Sequence, residues 1–207
     1  MGIELRLTNS RISFAEGLWR KSTAVEGGIP KHNVDFIVSP DTLIERKTTE
    51  GKWVKTTLAE AQELERIAAF KGDKAKANAW FEDLDSRQKS VRVGNKNKDR
   101  SGEVRDGYAD MLYVHATAAK QSEFNIYNAN AERVADRSKD PIYSGCYVIA
   151  RIQLYCNLKR ERAGLFCGLQ GVQFYKDGDA FGGGRAASED DFAPQPAASG
   201  SNASDFG

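Results

Sequence analysis

The sequence predicts a mainly β domain, five short strands closed into a small barrel, with a helical insertion and a disordered acidic tail. Three observations carry this. Alternating apolar and polar residues recur in five runs separated by turn residues. Between the second and third runs the apolar period lengthens to that of a helix. After Arg185 the chain is built from Ala, Ser, Gly, Pro and Asp and has no Lys or Arg, a composition that cannot bury a core.

The first run is IELRLTNSRISF, residues 3–14, interrupted at Asn9-Ser10. A loop, GLWRKSTAVEGGIPKHN, leads to the second, VDFIVS, which stops before Pro40. At Thr57 the period changes. Thr57 followed three residues later by Glu60 is a capping box, and Leu58, Ala61, Leu64, Ile67 and Ala68 form one helical stripe that Gly72 can end. KAKANAWFEDL reads as a second helix with Trp80, Phe81 and Leu84 on its buried side. Residues 87–105 hold seven basic side chains against two acids with almost no apolar pattern, so a flexible, positive loop is expected. The third strand covers 111–119, with Leu112, Val114, Ala116 and Ala118 on one face and Tyr113, His115 and Thr117 on the other. The fourth starts at GCYVIARIQLYC, and the fifth, LFCGLQGVQFY, follows the turn NLKRERAG. FGGGR reads as a hinge into the tail, because no helix follows it to cradle a phosphate. Closure into a barrel buries single-faced strands without leaving long edges. The domain boundary falls at 185, with the tail at 186–207.

The formal net charge of the 207 residues is +1, but the tail's four acids, Glu189, Asp190, Asp191 and Asp205, hide a body of 30 basic and 25 acidic side chains. A basic body with an acidic tail fits an anionic partner. Cys146, Cys156 and Cys167 form no CxxC pair, and His32 and His115 are the only histidines. Neither a metal nor another cofactor is predicted. With no apolar run of membrane length and no signal-peptide pattern, the expectation is a soluble cytoplasmic protein.

The fourth strand poses the functional question. Val148, Ala150, Ile152, Leu154 and Cys156 fall on its core face, while Tyr147, Arg151 and Tyr155 fall on the face that should meet water. Bases have π-faces and phosphates are anionic, so aromatic platforms beside a cationic groove suit a single strand held without reading its sequence. Tyr113 on the neighbouring strand extends the platform, Lys159, Arg160 and Arg162 occupy the following turn, and Arg92, Lys96 and Lys98 lie on the basic loop. The alternative is that both tyrosines pack against another element and Arg151 is ion-paired on the surface. A separate signal, PDTLIERK, resembles a metal-nuclease motif through Asp41, Glu45 and Lys47. The interval is too short for the Asp and the ExK triplet to occupy successive strands, so a strand end and a charged loop is the better reading. In the tail, Phe192 and Phe206 directly follow acids, which suits docking to a basic pocket on a partner; the alternative is a solubilising tail.

The segments RLTNSRISFAEGLW, IYSGCYVIARIQLY and GLQGVQFYKDGDAFGG resemble the phage single-stranded DNA-binding proteins of the T7-like and Enc34-like kind, over residues 3–185. The resemblance implies a single OB-fold that coats single-stranded DNA in phage replication and recombination. It also implies an acidic tail that contacts replication proteins such as DNA polymerase and guards the groove. The chain departs from family tails that finish on the aromatic, since Gly207 follows Phe206. The reading is of a non-enzymatic protein. A metal-dependent nuclease and an RNA-binding or scaffolding module are the alternatives, and a homodimer is left open.

Overall fold

A computed structural model describes residues 2–23 and 27–182. Its strands are β1 (Ile3–Ser13), β2 (His32–Val38), β3 (Ile44–Lys47), β4 (Trp53–Thr56), β5 (Val91–Val93), β6 (Leu112–Ala118), β7 (Asn125–Tyr127), β8 (Tyr147–Asn157) and β9 (Gly164–Lys176). The helices are α1 (Leu58–Ala69) and α2 (Lys74–Asp83). β1, β2, β6, β9 and β8 pair in that order, and β8 pairs back onto β1, which closes a five-stranded barrel of the OB type. The five barrel strands are those expected from the alternating runs.

β1 reaches both neighbours because it bends. Its register with β8 slips between Leu7 and Ser10, and Asn9 takes a left-handed φ of 58°, a conformation Asn tolerates better than most side chains. The interruption at Asn9-Ser10 is therefore a bulge within one strand. Inside the barrel, Leu5, Leu7, Phe36, Val114, Val148, Ile152, Leu154 and Leu169 form the main core.

Three regions differ from the expectation. The charged loop expected within PDTLIERK is in part a strand: Ile44–Lys47 pairs with Trp53–Thr56 in the β3–β4 hairpin, which pairs with β1 and extends the sheet beyond the barrel. Residues 87–105 are ordered. β5 pairs with β6, Arg105 N–H donates to Asn97 O at 3.0 Å, and the Asp99 carboxylate accepts from the Ser101 and Glu103 amides. Turn hydrogen bonds of this kind need no apolar periodicity, so the composition carried no sign of them. Third, Trp80 and Phe81 of α2 are only half-buried, packed on α1. The α1 capping box forms as expected: Glu60 N–H donates to Thr57 Oγ1 and Thr57 N–H to Glu60 Oε2.

The continuation of this basic arm, residues 104–111, folds over the outer face of β2 and β6. Tyr108 is fully buried there with Ile37 and Tyr113, backed by Val104, Met111 and Phe181. Tyr108 OH donates to Asp35 Oδ2 at 2.7 Å, and His115 Nδ1 lies 2.7 Å from Asp35 Oδ1. Gly107 makes this fold-over at φ 79°, a left-handed conformation that favours glycine, and a Cβ there would also crowd the Phe181 ring.

Candidate nucleic-acid interface

Alternation along β8 is realised: Val148, Ala150, Ile152 and Leu154 are buried, and Tyr147, Ile149, Arg151, Gln153 and Tyr155 point outward. The ladder places neighbours beside each. Arg6 of β1 lies opposite Arg151, Arg11 opposite Tyr147, and Lys176 of β9 opposite Tyr147 on the other side. Barrel closure thus gathers cations from three strands onto one outer face.

The β3–β4 hairpin completes one flank. Trp53 lies under two guanidiniums, Arg6 at 4.4 Å and Arg151 at 5.4 Å from its ring centroid. Glu4 pairs with Arg151 at 2.7 Å and Lys47 at 3.4 Å; Glu45 pairs with Arg6 at 3.0 Å and Lys55 at 3.4 Å. Four cations share two carboxylates, so the cluster keeps a net positive charge while each arginine is fixed in place. The nuclease-like segment lies in the same hairpin. Glu45 and Lys47 stand on one strand, bound to these partners, and Asp41 lies in the turn before it. Among the described residues no three His, Cys, Asp or Glu side chains come together as metal ligands.

Between Arg151 and β7 lies a cleft of about 640 Å³, lined by Arg6, Glu123, Tyr127, Ile149, Arg151 and Gln173, with two cations against one acid. Beside it the floor of the outer face is bare. Gly168 pairs with Gln153 of β8 on one side and Thr117 of β6 on the other. A Cβ at Gly168 would meet nothing nearer than Gln153 O at 3.9 Å. Sterics within the protein do not demand glycine there, so the residue leaves room over the strand for a close approach. A second cleft, about 280 Å³ beside Phe14 and Phe181, is lined by three acids, Asp99, Glu103 and Asp106, against one cation, Arg105, which makes it a poor site for phosphate.

The predicted residues divide as follows. Tyr155 is 38% exposed and lies 6.0 Å from the Phe166 ring; burial raises the pKa of its hydroxyl. Tyr147 is half-buried, with the Lys176 ammonium at 4.5 Å and the Arg11 guanidinium at 5.6 Å from its ring, so it organises cations more than it offers a bare face. Arg151 is exposed and ion-paired, in the centre of the face. Lys159, Arg160 and Arg162 are exposed on the β8–β9 turn. Arg92 is held on the arm by its Nε–H, which donates to Lys89 O, while Lys96 and Lys98 are exposed farther along. Tyr113 is corrected: it is 7% exposed, edge-on to Tyr108 at 5.1 Å, and has no face for a base. Strand alternation pointed it outward correctly, but residues 104–111 then cover it. The tail residues Glu189, Asp190, Asp191, Phe192, Asp205 and Phe206 lie outside the described residues.

Sequence reasoning missed Trp53, Arg6, Phe166 and Gly168. Trp53 carried a usable signal, an aromatic flanked by Lys52 and Lys55. The cysteines take no part in this surface; burial pushes the Cys146 thiol up to about 11 and the Cys156 thiol up to about 12.

Comparison with known proteins places this geometry. A chain from Acyrthosiphon pisum secondary endosymbiont phage 1, putative protein p50, is 36% identical over 102 residues, covering 46% of this chain and half of that relative's length. The single-stranded DNA-binding protein of bacteriophage Enc34 in complex with ssDNA superposes with a TM-score of 0.57 at 16% identity, over 86% of this chain and 89% of that one. Its C-terminal truncation gives 0.56 at 15% identity over 86% and 88%. These likenesses show the fold. The family model described as Enterobacter phage Enc34, ssDNA-binding protein, matches residues 3–205, and the chain belongs to that family.

Proposed function

We propose that this protein binds single-stranded DNA without sequence preference and coats it during phage DNA replication and recombination, in the host cytoplasm and without catalysis. The observation that carries this reading is the outward row of β8: Arg151 at the centre of a cationic cluster, Tyr155 and Phe166 at one end, and the bare Gly168 floor between them. Bases stack on the rings and phosphates meet the arginines. Membership of the Enc34 family supports the same reading. The test is a gel shift with single- and double-stranded oligonucleotides, repeated across salt and with RNA as competitor. Preferential, salt-sensitive retention of single-stranded DNA supports the proposal; equal retention of duplex, or Mg²⁺-dependent cleavage of DNA, refutes it.

The tail, residues 186–207, extends the proposal. It holds four acids and no base, and tethering keeps such a polyanion at high effective concentration near the cationic face. It competes with DNA there, and Phe192 and Phe206 dock replication proteins such as DNA polymerase. Truncation after Arg185 tightens DNA binding if this holds; replacing both phenylalanines with alanine removes partner docking while competition persists. A homodimer would use β4, which ends the sheet path with no further strand paired to it among the described residues; sedimentation of the truncated protein would test that.

A further inference from the structure

The aromatic and cationic surface does not stop at the barrel. Tyr155 lies 6.0 Å from Phe166, and a Cβ at the neighbouring Gly164 would come within 2.6 Å of the Phe166 ring and 2.8 Å of Gln88 O, so the start of β9 lies against the segment that leaves α2. That contact is bonded: Gln88 Nε2–H donates to Ala163 O at 2.9 Å, and Ser90 N–H to Leu165 O at 2.8 Å. Between those two residues, Lys89 sends its ammonium to 4.5 Å from the ring of Phe81. Arg66 of α1 places its guanidinium 4.1 Å from the same ring. Phe81 is half-buried, and Arg66 Nε is buried without a hydrogen-bond partner among the described residues. Lys159, Arg160 and Arg162 flank the crossing point on the β8–β9 turn.

Two cations on one half-buried phenyl ring, with neither serving an ion pair to an acid within 4 Å among the described residues, are held in place by the ring and keep their positive charge for an anionic strand. Those are the two features a single strand uses. Resting on the reading of the barrel face given above, we propose that single-stranded DNA continues past Tyr155 and Phe166, across the β8–β9 turn, and onto the Arg66–Phe81–Lys89 stack of the helical insertion. The insertion is a second subsite, occupied only by strands long enough to run off the barrel.

The experiment titrates the full chain, by fluorescence anisotropy, with oligothymidylates of about 6 and about 20 nucleotides, lengths that bracket the span one OB-fold covers. The variants are Phe81→Ala, Lys89→Gln, and Arg151→Gln with Tyr155→Ala as the barrel control. Phe81→Ala and Lys89→Gln should bind the short strand as the parent does and lose about ten-fold on the long one, the loss of one stacked base or one phosphate contact. The barrel control should lose affinity for both lengths. Lys89→Gln removes a charge from the surface and keeps the stem that covers Phe81, so it decides the matter if Phe81→Ala unfolds. Parent-like affinity of Lys89→Gln for both lengths, with the fold intact, overturns the subsite and leaves that ring as a contact for protein. If the barrel control alone behaves like the parent, the barrel reading fails and the continuous path past Tyr155 and Phe166 is overturned with it, while a loss at Lys89 then marks a DNA contact of the insertion by itself.

Discussion

Arg6 and Arg151 are direct cross-strand neighbours, and their guanidiniums lie at 4.4 and 5.4 Å from one ring, that of Trp53. Like charges at such a position oppose strand pairing, on a scale of about 0.2–1 kcal/mol. Glu4 and Glu45 offset this through ion pairs that are partly exposed and therefore weak. The pair is maintained at no evident gain in stability. Arg151→Gln should thus leave the urea midpoint within about 0.5 kcal/mol of the parent, yet weaken single-strand binding and make its salt slope shallower by about 0.7. A large loss of stability would show that the arginine serves the fold.

The two tyrosines of β8 should separate. Tyr155 has an exposed face beside Phe166, whereas Tyr147 is engaged by Arg11 and Lys176. Tyr155→Ala should cost about 1–3 kcal/mol of single-strand affinity, and Tyr147→Ala less, with most of its effect at low salt, where loosened cations matter most. Parallel titrations at two salt concentrations check the order.

Gly168 offers a substitution with opposite signs on stability and binding. Its Cβ position is open and its φ is not left-handed. Gly168→Ala should stabilise the fold by about 0.5–1 kcal/mol by removing backbone freedom from the unfolded chain. Gly168→Val should in addition reduce affinity by obstructing the floor between Gln153 and Thr117. Denaturation and binding curves on the same samples read both effects.

At the foot of the barrel, Glu65 of α1 is buried and accepts the Cys156 N–H at 3.1 Å. Burial raises its pKa above the ordinary value, with the Cys156 hydrogen bond opposing. Between the unfolded carboxyl pKa, about 4.3, and this raised value the native state binds more protons. Stability therefore falls as pH rises through that window. Glu65→Gln keeps the acceptor oxygen and removes the charge. It should be more stable than the parent at neutral pH, and the difference should vanish below pH 4, as urea denaturation across pH would reveal.

What the sequence disclosed follows from which signals are local. β8 was legible because one face meets the core, so Val148 to Leu154 print their period into the chain; α1 was legible only at its start, since Leu58 and Ala61 are buried but Leu64 and Ala68 of the expected stripe are exposed and Glu65 is buried instead. The β3–β4 hairpin was not: only Ile44 and Thr56 of its eight residues are buried, and without a buried face no alternation appears. Tyr113 pointed outward as read; its covering by Tyr108 and Met111 is a packing event that no period encodes. The centre of the candidate site, Tyr155 and Arg151, was visible, while its flanks, Trp53, Phe166 and Gly168, come from strands whose neighbours only barrel closure defines.

The central claim is that the outer face of β1, β8 and β9 grips single strands through its arginines and rings. The most direct measurement is an anisotropy titration of one single-stranded oligonucleotide and its duplex with the parent and the Arg6→Gln, Arg151→Gln double variant, from low to physiological salt. The parent should prefer the single strand and lose affinity linearly in log salt, and the double variant should bind more weakly with a slope reduced by about 1.4, two phosphates' worth. A double variant that folds normally and matches the parent in affinity and slope would contradict the claim and move the binding face elsewhere on the barrel.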